Sequence, residues 1–173
     1  MYVEERMRKE LQDAVRMEED FLKELDLHVT VSALTQEGIA RASQLTQKTN
    51  QFNVTTRRYS EEDMVRLLGH GWKIWTVGVT DRFGNYGTVG VLMAEPHEAE
   101  WRIDTFLLSC RVLGRHVEDR VIEYILDIAL SERVTRITAE YRPSAKNQQT
   151  EYFWEGRGFT LTSEDKEHKM YQK

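Results

Sequence analysis

One cysteine stands where a nucleophile would be useful. Cys110 closes an apolar run, Ile103 to Ser109, and is followed at once by Arg111-Val112-Leu113-Gly114-Arg115-His116. From Val117 the apolar residues Val117, Val121, Ile122, Ile125, Ile128 and Ala129 return at intervals of three and four, the signature of one face of a helix. A strand that enters a helix through a glycine-containing turn brings the unpaired amides of the first helical turn together, backed by the positive end of the helix dipole. Such a place takes an anion, and pyrophosphate is the usual guest. Arg111, Arg115 and the helix end beside Cys110 each favour thiolate over thiol, which suits covalent capture of an acyl group. The competing reading is a small buried hydrophobe, the usual fate of a lone cysteine.

A base for Cys110 must come from elsewhere than its own strand. Asp104 shares its parity, but six residues of strand separate the two by roughly 20 Å. His116 is near in sequence and His70 is a candidate through space; a loop histidine is also ordinary polar surface.

The elements around the turn read as follows. Residues 1–26 form a charged helix with the apolar stripe Val3, Met7, Leu11, Ala14, Phe21, Leu22 and Leu25, expected to pack on the body, and with Glu4–Arg8, Glu5–Lys9 and Glu19–Lys23 at i and i+4. His28 to Val31 is a first strand. Thr35 is an N-cap for a helix to Gln47 that turns Ile39, Ala42 and Leu45 inward. The loop that follows carries Asn50, Gln51, Asn53, Thr55, Thr56, Arg57 and Arg58, a supply of donors and acceptors suited to a polar acyl group or a phosphate. Ser60 with Glu61, Glu62 and Asp63 starts a short helix. Trp72 to Thr80, Gly87 to Ala94 and Trp101 to Ser109 make an antiparallel meander, with a hairpin turn over Asp81 to Gly87. Arg136 to Tyr141 is a strand, Ala145 to Glu155 a helix, and Phe159 to Leu161 a last strand.

This order resembles the GNAT acyltransferase fold, an α/β (α+β) arrangement in which helices flank a mixed, mostly antiparallel sheet with splayed central strands. Arg111 to His116 is similar to the GNAT pyrophosphate loop. More narrowly, IDTFLLSCRVLGR (103–115) and QLTQKTNQFNVTTRR (44–58) resemble the C-terminal half of the FkbH-like proteins, in which a haloacid-dehalogenase-type phosphatase precedes a GNAT-like domain. The resemblance covers nearly the whole chain, without the phosphatase half. It implies a single GNAT-like domain over 1–173, with 1–26 as the former connector to a phosphatase domain or partner. The implied activity moves a glyceryl-like acyl group to or from the phosphopantetheine thiol of an acyl carrier protein, or coenzyme A, through a thioester on Cys110.

The same resemblance assigns the phosphate and the arm to Arg111, Val112, Leu113, Gly114, Arg115, His116, Val117 and Asn147, and the acyl donor to Asn50, Asn53, Thr55, Arg57 and Arg58. Two departures matter. His116 replaces the Gly or Ala usual in the turn. In NQQTEYFWEGRGF (147–159), Trp154 stands where GNAT enzymes carry a tyrosine acid, and Trp cannot supply that proton. Tyr152, two residues earlier, points off another face. The alternatives are an acetyl-CoA-dependent N-acetyltransferase and a non-catalytic module that docks an acyl carrier protein.

Composition sets the outer bounds. The chain has 173 residues, 40% hydrophobic and 31% charged, which is enough for one core. A single cysteine excludes an internal disulfide, and the few Cys and His lack ligand-like spacing, so no metal is expected. A net charge of -5 disfavours nucleic acid. No apolar run reaches the roughly eighteen residues of a membrane span. A cytoplasmic protein is the expectation.

Overall fold

The alternating apolar residues between Trp72 and Ser109 build the centre of the molecule. A computed structural model of the chain describes residues 2–173. β3 (Lys73–Asp81), β4 (Gly84–His97) and β5 (Glu100–Leu108) form the antiparallel meander, and β1 (His28–Ala33) adds to β3. β6 (Arg136–Tyr141) lies parallel to β5. The sheet runs β1-β3-β4-β5-β6-β8-β7, where β7 is Thr160–Glu164 and β8 is Lys169–Gln172, and short β2 (Phe52–Asn53) pairs with β5. Ser60 caps α3 (Glu61–Gly69) as its sequence demands: its hydroxyl accepts from the Asp63 amide and the Asp63 carboxylate accepts from the Ser60 amide. That backbone bond, with Arg66, pulls the Asp63 pKa down to about 2.

Helices cover both faces of the sheet. α4 (Val117–Ser131) presents Val117, Val121, Ile122, Ile125 and Ala129 to Val89, Leu92, Ile103, Phe106 and Leu108. On the other face α2 (Ile39–Lys48) and α3 place Ile39, Ala42, Leu45, Met64 and Leu67 over Val91, Met93 and Leu107. With both faces covered, β4 is buried without interruption from Val89 to Ala94. Gly90 is required there: a β-carbon would come within 2.5 Å of Leu108 Cδ2 and 2.9 Å of the Leu107 carbonyl oxygen.

A bulge directs the centre of the sheet. Met93 pairs with Thr105 and Ala94 with Ile103, so Asp104 has no partner on β4. The pairing of β5 with β6 ends at Ile103 and Ala139, one residue before that bulge. Beyond it the two strands part, which is the splay the GNAT resemblance implies. The bulge also breaks the strand parity assumed between Asp104 and Cys110.

Five expectations need correction. The α1 helix (Tyr2–Leu25) forms, but its stripe does not pack: Val3, Met7, Leu11 and Phe21 are exposed, and Leu25 alone is buried. Of its i,i+4 pairs, Glu5–Lys9 and Glu19–Lys23 do not close; Arg6–Glu10 does, at 3.0 Å, and the Glu4 side chain lies outside the described residues. Thr35 makes no side-chain cap, and the chain passes through a 3-10 turn, Gln36–Gly38, before α2. The helix expected over Ala145 to Glu155 is replaced by two 3-10 turns, Gln148–Thr150 and Glu155–Arg157. Here Ser144 and Asn147 side chains bond the local backbone and compete with helical pairing. Lastly, β8 inserts between β6 and β7, a strand hidden in the charged tail. Among the described residues no helix is long and apolar enough to cross a membrane.

Candidate active site

The turn after β5 behaves as its residues require. Ser109 accepts from the Arg111 amide and opens a 3-10 turn, Cys110–Val112. Gly114 then takes φ +75, and His116, as N-cap of α4, takes φ 58 and ψ 23. Glycine reaches that left-handed region freely, whereas His116 is strained there, at a cost of about 1 kcal/mol. The amides of Gly114, Arg115 and His116 and of the first turn, Val117 to Asp119, meet no acceptor among the described residues. An anion is the natural partner for them.

Side chains fix the turn from both sides. Arg115 donates to the Tyr86 hydroxyl at 2.7 Å, lies over the Tyr86 ring and stands 3.8 Å from Asp81; Arg111 donates to the Tyr86 carbonyl at 3.2 Å. These bonds tie the turn to the β3–β4 hairpin. Arg157 stacks on Phe153 and reaches Asp119 at 3.0 Å and Glu118 at 3.7 Å, so the two acids of the first helical turn are answered by a cation. His116 lies 3.2 Å from Asp119 and lines a cleft of about 360 Å³ with Lys23, Arg115 and Arg120.

Cys110 opens onto a separate cleft that shares no lining residue with the first. Its exposed side chain lines a cleft of about 350 Å³ with Ser109, Arg41, Lys48, Asn50 and Gln51. Two cations face this cleft and no carboxylate lines it. Sequence reasoning missed Arg41 and Lys48. They sit seven residues apart, hence on one face of α2, and that spacing is the signal that could have found them.

The splay itself is occupied. Residues 52–54 run as a wedge between β5 and the end of β6: Phe52 and Asn53 pair with Leu108 and Leu107, the Val54 amide donates to the Phe106 carbonyl at 3.1 Å, and the Arg142 amide donates to the Val54 carbonyl at 2.8 Å. Phe52 anchors the wedge edge-on against Phe106 and Phe153, at 5.4 Å and 5.2 Å. Asn147, fully buried, donates to the Asn53 carbonyl and the Arg142 carbonyl, each at 2.8 Å. It therefore grips the chain's own backbone where the resemblance placed a pantetheine arm.

The remaining donor residues of that loop are committed internally as well. The Asn53 carboxamide oxygen accepts from the Thr55 and Thr56 amides and holds Thr56 at φ 55, a left-handed conformation rare for a β-branched residue. Thr55 donates to the carbonyl of bulged Asp104 at 2.9 Å. Arg57 bridges buried Asp104 and buried Glu140, at 2.8 Å and 2.7 Å. Burial opposes the Arg57 charge, but the two carboxylates outweigh it and raise its pKa. Tyr59 donates to Asp104, and burial, then the Asp104 charge, pushes its pKa up. Arg58 bonds the Thr46 and Thr49 carbonyls and the Asn50 side chain. Among the five donor-site residues, Asn50 alone reaches the Cys110 cleft.

The histidines do not reach it. His70 caps α3 and its Nδ1 lies 2.7 Å from the Arg66 carbonyl, while His116 lines the other cleft. Trp154 is fully buried and its indole N–H donates to the Glu140 carbonyl at 3.3 Å, and Tyr152 is exposed. Neither stands as an acid in the splay.

No family model matches the chain, and no curated protein matches it in sequence. Solved structures do match in shape. The chain is similar to a ribosomal-protein-alanine N-acetyltransferase from Escherichia coli, 14% identical, with a TM-score of 0.65 over 84% of this chain and 92% of that one. It is similar to the PaiA N-acetyltransferase of Thermoplasma acidophilum in complex with coenzyme A, 11% identical, with a TM-score of 0.61 over 84% and 98%. A third match is a Salmonella typhimurium acetyl transferase that modifies the N-terminal serine of a 50S ribosomal subunit protein, 17% identical, TM-score 0.60, over 84% and 94%. The fold is that of the GNAT acetyltransferases.

Proposed function

We propose that this chain is an acyltransferase, similar to the GNAT-like half of the FkbH-like proteins, that passes a small polar acyl group, glyceryl-like, through a thioester on Cys110. The donor or acceptor is the phosphopantetheine thiol of an acyl carrier protein, or coenzyme A. One observation carries the reading: Cys110 opens onto a cleft lined by Arg41, Lys48 and Asn50, while the slot between β5 and β6 is filled by residues 52–54.

Fit differs along the carrier. Its phosphate suits the free amides from Gly114 to Asp119, with Arg111 and Arg115 beside them. An arm does not fit along the edge of β5, because the Phe106, Leu107 and Leu108 backbone is already paired. The carrier supplies an activated thioester carbonyl. A direct attack in the splay is closed to it, so transfer belongs at the mouth, where Cys110 stands. There the Cys110 thiol loses its proton and its sulfur adds to the carbonyl carbon, a new C–S bond forms on Cys110, the carrier's own C–S bond breaks, and the departing thiolate takes up the proton that Cys110 released. Arg41, Lys48 and the Asn50 amide hold the polar substituents of the acyl group during the exchange.

The N-acetyltransferases that match in shape favour a second reading, amine acetylation from acetyl-CoA. Buried Trp154 and the filled splay count against it. Intact mass spectrometry separates the readings. With polar acyl-CoAs or acylated carrier protein, the wild-type chain is expected to gain one acyl mass that Cys110→Ser does not. Steady amine acetylation by Cys110→Ser supports the second reading instead. Binding of the carrier protein with no acyl mass and no turnover leaves a docking module.

A further inference from the structure

The wall beside Cys110 is basic in a chain whose acids outnumber its bases, 29 to 24. Five arginines of the described residues are half-buried, and four of them face an acid: Arg57 at 2.7 Å from Glu140, Arg115 at 3.8 Å from Asp81, Arg142 at 3.5 Å from Glu140 and Arg157 at 3.0 Å from Asp119. Arg41 is the fifth. Its Nε donates to the Thr88 carbonyl at 3.3 Å and its Nη1 to the Gln44 carboxamide at 2.5 Å, so the guanidinium is held in place by neutral acceptors that do not cancel its charge. It lines the Cys110 cleft in that state.

The helix does not account for the charge either. Lys48 stands in the last turn of α2, where the dipole favours a cation, but Arg41 stands in the first turn, where the dipole opposes one. Behind the wall Arg58 also spends its donors on neutral groups, the Thr46 and Thr49 carbonyls and the Asn50 side chain. A partly desolvated cation without an acid is costly, and an anionic ligand removes that cost. We propose that the acyl group loaded on Cys110 ends in an anion, a carboxylate or a phosphate, seated between Arg41 and Lys48. This rests on the acyl-transfer reading above and adds the charge of the acyl chain to it. A cleft of about 350 Å³ has room for a short chain beyond the thioester. A neutral chain leaves Arg41 as it stands, without an acid.

Cys110 is the only cysteine of the chain, so thiol reagents report on this cleft alone. Its sulfur displaces iodide from iodoacetate and from iodoacetamide, and the ratio of the two rates cancels the amount of thiolate present. In the whole chain that ratio should stand roughly fivefold above the ratio for β-mercaptoethanol, and Lys48→Gln should bring it down. A ratio equal to that of the free thiol overturns the proposal, and so does one that Lys48→Gln leaves alone. Succinate and inorganic phosphate, added as competitors of iodoacetate, tell the two anions apart: the better protector names the group, and protection by neither overturns the proposal. Intact mass then reads the acyl group itself. Succinyl-CoA should label Cys110 at least tenfold more than butyryl-CoA, and equal labelling overturns the proposal while leaving transfer in place. No acyl mass from either reagent overturns the transfer reading instead, and the alkylation ratio still decides whether the cleft takes an anion.

Discussion

The splay between β5 and β6 and the cleft at the head of β5 adjoin along a single strand, yet they are built in opposite ways. In the splay every polar group is turned to another part of the same chain: Asn147 to the Asn53 and Arg142 carbonyls, Arg57 to Asp104 and Glu140, Thr55 to the bulged Asp104 carbonyl. In the cleft a free thiol and the Lys48 ammonium stand without a protein partner and no acid lines the wall, while Arg41 is held by the Thr88 carbonyl and Gln44 and Asn50 by Arg58. Groups satisfied internally are structural, because a ligand must first break their bonds. Groups left open to solvent are the ones a ligand reaches at no such cost. The contrast moves the proposed chemistry from the middle of the sheet to its rim.

Breaking the closed side should show the largest effect. Arg57→Ala leaves Asp104 and Glu140 buried without their shared cation, and about 3–5 kcal/mol of stability should disappear in urea unfolding. Asn147→Ala comes next. It strands the Asn53 and Arg142 carbonyls and the Ser144 amide, a loss of roughly 2–3 kcal/mol on the same measurement. By contrast, Lys48→Gln on the open side should leave the unfolding midpoint nearly unmoved and lower only the yield of Cys110 acylation. A large stability loss there would show the cleft to be structural after all.

The smallest effect lies away from both regions. Ser60→Ala removes one half of a capping box and should cost about 1 kcal/mol. Asp63 has its folded pKa drawn down from 3.8 to about 2, so its contribution is present in full above the unfolded value and disappears as pH falls from about 4 toward 2. Acid titration of wild type and Ser60→Ala should therefore converge at the bottom of that window.

What could be read from the residues alone follows the same division. The meander, the capped α3, the turn at Gly114 and α4 came from local signals, namely alternation, an N-cap with acids behind it, and a change of period at Val117. The wedge of residues 52–54 had no such signal, because its pairing with β5 depends on a bulge at Asp104 that no spacing announces. Arg57 and Arg58 were legible as important and illegible as to purpose: a cation near polar residues reads the same whether it holds a ligand or two buried carboxylates. β8 was masked by the charges around Tyr171, whose ring is nonetheless fully buried.

Backbone hydrogen exchange at the Val54 amide, followed with and without saturating coenzyme A, tests the central claim most directly. If the carrier binds at the turn and the rim, chemical shifts from Gly114 to Asp119 should move while Val54 keeps its protection. Exchange at Val54 that accelerates on binding, as the wedge is driven out and the arm takes its place beside β5, would contradict the account.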